Sequence, residues 1–193
     1  MTLISMLAAL RSVHASLSGP SLPPELDVEL NPDSEEARAN PPTHMLAVYS
    51  SSATAGKTKV TLFPSHQLVF SAHCANLPPL PSPSQPSSEK SCRIPVVPFR
   101  LPVPAAFPLL YSYLYTKRAD VLLASLTPED EHDVPSLMRM AALVWGLWQN
   151  ACILGVVDTV LYDMLDDTWC RITTGLERAP LSWLYFLSPT RIW

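Results

Sequence analysis

Proline occupies 21 of the 193 positions and glycine only 5, so the placement of proline decides where a helix or a central strand can run. Each proline removes a backbone donor and fixes φ, whereas the scarcity of glycine leaves few loose hinges. The chain is therefore expected to combine stiff loops with short helices. The stretch "LPPLPSPSQPSSEKS" at 77–91 is too rich in proline and serine for either regular element and reads as a surface loop. In "RIPVV", Pro95 interrupts an otherwise extended run and is expected to push that strand to a sheet edge.

A hydrophobic share of 48% over this length supports one domain with a real core. The formal charge of -4, with 13 basic residues scattered along the chain, gives no footprint for a polyphosphate, so direct nucleic-acid binding is not expected. Cys74, Cys92, Cys152 and Cys170 lie far apart and suggest buried reduced thiols rather than a zinc site or a disulfide framework. The opening "MTLISMLAALRSVHAS" has small residues, Val13 and Ala15, at a leader-like spacing. It lacks a basic start, and Arg11 breaks its apolar run, so secretion is not expected. The apolar stretch 141–157 falls short of the ~20 residues of a bilayer span and reads as a buried helix of a soluble protein.

Residues 1–42 mix proline with acids in their second half and read as a flexible lead-in. Order is expected to begin at "HMLAVYSS", which pairs with "TKVTLF" as a β-hairpin. A helix over 65–76 would be capped by Ser65 and bury Leu68, Val69 and Ala72. Another starts near Ala105 and ends at Thr116, with Phe107, Leu110, Tyr111 and Leu114 at i, i+3, i+4 and i+7 facing the core. Lys117, Arg118 and Asp120 then form a polar turn, with Asp120 capping a small helix "VLLASL". A long helix begins at Pro135 and stops at Gly155. Asp158 caps a partner helix with Val160, Leu161, Met164, Leu165, Thr168, Trp169 and Ile172 on one side, which makes an αα-hairpin. Gly175 and Pro180 end that pattern, and the aromatic tail 175–193 has no assigned role. The expected fold class is thus α+β, a hairpin plus edge strand wrapped by helices, with the ordered domain at 43–174.

No reactive constellation stands out. "AGKTK" has the end of a phosphate-binding loop without its earlier glycine and reads as the hairpin turn. His66, His73 and Cys74 share a helix, but the adjacent pair diverges around its axis. Asp163, Asp166 and Asp167 suit a solvated face, since no second acidic cluster faces them. Trp145 and Trp148 read as a core pair. Ser82, ahead of Pro83, matches a proline-directed phosphorylation site. The alternative function is a small metal-dependent or hydrolytic enzyme built on these acids or histidines.

The order of hairpin, helix, strand and a helix ending in "YLYT" resembles the BTB/POZ interaction fold, carried by "LFPSHQLVFSAHCANL" and "FPLLYSYLYT". A closer similarity is to the clampless-type proteins of mushroom-forming fungi. It is carried by "HMLAVYSSS" (44–52), "TLFPSHQLVFSAHCANLP" (61–78), "IPVVPFRLPVPAAFPLLYSYLYTKRADVLLASL" (94–126) and "GLWQNACILGVVD" (146–158). That resemblance implies a noncatalytic regulator of sexual development, acting in clamp-cell formation and dikaryon maintenance. It implies no cofactor or metal, and protein partners among the transcriptional regulators of mating. The expected location is the nucleus or cytoplasm, away from membranes, and self-association is left open. The candidate partner-binding residues are Trp148, Tyr162, Trp169, Lys117 and Arg118.

Overall fold

A computed structural model of the chain describes residues 22–29, 39–51, 59–82, 91–128, 130 and 133–178. The leader-like start, residues 55–58 of the "AGKTK" turn, the loop over 83–90 and the tail beyond 178 lie outside the described residues.

Four strands form one mixed sheet: β1 (Glu25–Glu29), β2 (His44–Ser50), β3 (Thr61–Ser65) and β4 (Ser91–Leu101), in the spatial order β1-β4-β2-β3. The helices are α1 (Gln67–His73), α2 (Phe107–Thr116), α3 (Ala119–Leu126), α4 (Val134–Leu154) and α5 (Thr159–Arg178), with a 3₁₀ turn at Pro104–Ala106. The α+β expectation holds, and β2 and β3 pair antiparallel as the expected hairpin.

β4 is not an edge strand. Its first half pairs antiparallel with β1, from Ser91 to Pro95, and its second half pairs parallel with β2, from Val96 to Leu101. The Val96 amide donates toward β1, to the Pro24 carbonyl at 2.9 Å. Amides alternate sides along a strand. The missing donor of Pro95 therefore faces β2 just before that pairing starts, and the missing donor of Pro98 faces β1 just after that pairing ends. Both prolines sit in an interior strand at no cost in ladder bonds, which composition alone does not reveal.

β1 itself corrects the reading of 1–42 as a flexible lead-in, since Glu25–Glu29 forms part of the sheet and Val28 is buried. Both sheet faces are covered. On one, Val28, Met45, Ala47, Cys92, Ile94 and Val96 form a compact apolar cluster. On the other, Leu46, Val97 and Phe99 meet Phe107, Leu110, Tyr111 and Leu114 of α2, the stripe expected from their spacing. Phe63 and Phe107 stack edge to face at 5.0 Å, and Phe70 meets Phe99 in the same way at 6.2 Å.

α1 departs furthest from expectation. Ser65 belongs to β3, is buried, and donates to the Phe63 carbonyl, so it is no cap. The first-turn amide of Gln67 donates instead to the Thr43 hydroxyl at 2.8 Å, and the His66 amide to the Tyr115 hydroxyl at 2.8 Å. These tethers rotate the helix so that Phe70 is its buried residue, while Leu68 stays 81% exposed. Asp120 likewise stands inside the first turn of α3 rather than before it. α4 begins one residue earlier than expected and runs 21 residues, so it has the length and composition to cross a membrane; the expected shortfall does not hold. Here its inner face packs on α2, α5 and the 3₁₀ turn. α5 continues through Gly175, which does not break it.

Candidate interaction surface

The αα-hairpin is held in place by a few polar side chains at its joints. Asp133 caps α4 by accepting from the Ser136 amide at 3.0 Å, and Gly155 ends the helix in the left-handed conformation at φ 62°. A Cβ on Gly146 would stand 2.8 Å from Val103 Cγ1, so glycine there lets α4 reach the 3₁₀ turn. Four residues on, the fully buried Asn150 bonds both polar groups of the Val103 backbone. Its Oδ1 accepts from the amide at 3.1 Å, and its Nδ2 donates to the carbonyl at 2.7 Å.

The loop between α4 and α5 is tied to α1 through a single antiparallel bridge, Cys74 to Val156. Asp158 then gathers three elements: it accepts from the amides of Val160 and Leu161, from the Tyr113 hydroxyl at 3.0 Å, and from Lys117 Nζ at 2.7 Å. Burial pushes its carboxyl up, but the hydrogen bonds from Lys117 and Tyr113 outweigh this and leave it below the ordinary value. The same burial, with the Asp158 acceptor, pushes the Tyr113 phenol up to about 12. Buried against this junction, the Cys74 thiol is held up at about 11 and is unsuited to nucleophilic work.

With its joints fixed in this way, the hairpin turns apolar side chains outward. Trp145 of α4 is 53% exposed and Trp169 of α5 38%, their rings 6.2 Å apart across the seam. Trp148 and Tyr162 form a second cross-helix pair at 6.0 Å, half-buried against the core. Met138, Ile153 and Val157 are exposed apolar residues as well, and Val160 is exposed on a different side of α5 from Trp169. The reading of Trp145 as core is thereby corrected, as is that of Val160. Along α4 the exposed residues Met138, Ala142 and Trp145 stand four and three apart, with Cys152 seven further on. None of them is charged, so no polar face marks the outward side in the sequence.

Among the other candidates, Lys117 is engaged internally by Asp158 and lies 5.2 Å from the Tyr113 ring centroid. Arg118 pairs with its neighbour Asp120, whose carboxyl that bond holds down at about 2. Both sit on the α2–α3 turn and are spent on local structure. Ser82 is exposed, and the preceding Pro81 carbonyl accepts from buried His44 Nε2 at 2.8 Å. Leu77 and Leu80 pin this part of the expected surface loop to the core. The residues of the enzymatic alternative are scattered: His66 faces Tyr115 and Asn40, His73 lies near Lys117 and Asp158, and Asp163, Asp166 and Asp167 line the outer side of α5. No three metal-ligating side chains converge among the described residues.

Comparison with known families gives two matches, each over more than half of the chain. Residues 1–102 match the clampless protein 1 N-terminal domain, and residues 75–185 match the clampless protein 1 C-terminal domain. Neither the curated proteins nor the solved structures compared with the chain match it.

Proposed function

This chain belongs to the clampless protein family, and from that premise we propose that it is a noncatalytic protein-interaction module regulating clamp-cell formation and dikaryon maintenance in fungal sexual development. In this reading the sheet and α2 form a BTB/POZ-like body, supported by the antiparallel β2–β3 pair and by α1 and α2 against one sheet face. The hairpin of α4 and α5 is the docking element. The observation that carries the proposal is the Trp145–Trp169 pair. Two large aromatic rings held against each other at the surface, tilted by 44° and both partly exposed, lose little entropy on binding and have apolar area left to bury. The partners are transcriptional regulators of mating, met in the nucleus or cytoplasm without direct contact to nucleic acid. Ser82, exposed ahead of Pro83, is a place where a kinase can tune that contact.

The test compares tagged wild type with the Trp145→Ala/Trp169→Ala variant, captured from mating cells and read by mass spectrometry. Removing an aromatic anchor at an interface centre costs 2 kcal/mol or more, roughly thirtyfold in affinity. The double variant is therefore expected to keep its circular dichroism and lose transcriptional regulators from the captured set. Capture of the same proteins in unchanged amounts would remove the hairpin from the interface.

A further inference from the structure

Between α3 and α5 runs an open groove of about 620 Å³. Its floor is apolar, formed by Leu123 of α3 with Val160 and Met164 of α5, and Val160 is 55% exposed. One rim carries Asp163 and Asp167, four residues apart on one side of α5 and both exposed. Arg171 stands one further turn along, so the acidic end of the groove is the Val160 end. An apolar floor alone accepts any greasy side chain; the carboxylates on its rim select the sign of what flanks that side chain.

We propose that this groove docks a cationic amphipathic segment of a partner protein, with an aliphatic side chain over Leu123, Val160 and Met164 and lysine or arginine against Asp163 and Asp167. The inference rests on the interaction-module reading and deepens it by assigning the partner's chemistry. It places a second contact on the opposite flank of α5 from the Trp145–Trp169 seam, because Val160 and Trp169 lie about 180° apart around the helix at its standard pitch.

The probes are three synthetic helical peptides of one leucine pattern whose polar positions are all Lys, all Gln or all Glu, labelled and titrated by fluorescence anisotropy against the full chain at low salt. The Lys peptide is expected to bind, the Gln peptide more weakly, and the Glu peptide not at all. Asp163→Asn/Asp167→Asn should weaken the Lys peptide about threefold to tenfold, in keeping with two exposed ion pairs. Glu177→Gln, an exposed acid near the far end of the same helix, should change it less than twofold. Val160→Ser/Met164→Ser should weaken all binding peptides alike.

Equal binding of the Lys and Gln peptides, an unchanged Lys affinity in the double Asn variant, or no binding of the Lys peptide at low salt would overturn the proposal. Failure here with continued loss of captured partners in the tryptophan variant overturns this groove and leaves the module reading standing. The reverse pattern overturns the tryptophan seam alone.

Discussion

Asn150 shows how one polar side chain fixes a helix against a turn. Because it is fully buried, both its groups depend on the two bonds to Val103. The Val103 amide has its partner in Asn150, whereas the Val103 carbonyl also accepts from the Ala106 amide at 3.1 Å. Asn150→Ala therefore leaves the Val103 amide without its partner, at a cost of about 1–3 kcal/mol. Gln149→Ala, one residue away and half-buried, is expected to stay within about 0.5 kcal/mol of wild type. Urea denaturation of the two variants separates these cases. Equal midpoints would mean that the Asn150 contact contributes nothing net. In the sequence Asn150 stood out only as a polar interruption of an apolar run, because its partner lies 47 residues away and no local pattern marks it.

Among the elements, those punctuated at both ends were legible. α4 carries Asp133 and Pro135 at its start and Gly155 at its stop, and α2 places four apolar residues at helical spacing. α1 was not, because seven residues are too few for a wheel to resolve and its rotation is set from outside, by Thr43 and Tyr115. The surface was half legible for a related reason. Trp169 was named from its chemistry, but a helix as poor in charge as α4 shows no polar face to set against the buried one, so Trp145 read as core. The junction at Asp158 permits a test at this scale. Its folded carboxyl lies below the ordinary 3.8, so its charge contributes stability above that value, and the contribution is lost as pH falls through the folded pKa. Asp158→Asn keeps an acceptor for the α5 amides but loses the charge and the oxygen that accepts from Lys117 and Tyr113, whereas Asp158→Ala loses the cap as well, a further ~1 kcal/mol. At pH 7 the expected order of stability is wild type, then Asn, then Ala. Thermal melts stepped from pH 7 to below 3.8 should narrow the gap between wild type and the Asn variant while the Asn–Ala gap stays. A gap between wild type and Asn that is independent of pH would show that the Lys117–Asp158 pair does not stabilise the fold.

At the scale of the whole molecule, the sheet has two buried faces, and the second depends on a strand that composition argues against. "ELDVE" holds only two apolar residues among three acids, the pattern of a solvated lead-in. Yet it alternates, Leu26 and Val28 against Glu25, Asp27 and Glu29, and β4 offers it the only half-edge where Pro95 removes no ladder bond. What the chain supplies locally is weak; what settles β1 is the partner 66 residues later, where Arg93 Nε meets Asp27 Oδ1 at 3.0 Å across the register. That pair is exposed and contributes little. The decisive contact is Val28, 1% exposed among Met45, Ala47, Cys92, Ile94 and Val96. Val28→Asp removes about 1.5–2 kcal/mol of apolar burial and adds the cost of desolvating a carboxylate, for a total of at least about 3 kcal/mol. In a chain of this size that lowers the melting temperature by at least about 6 °C. Glu25→Gln, on the same strand but facing solvent, should leave it unchanged. If Val28→Asp melts with the wild type, β1 does not hold the sheet and the fold is complete from β2 onward. If it melts early, the acidic segment before the hairpin is part of the folded body.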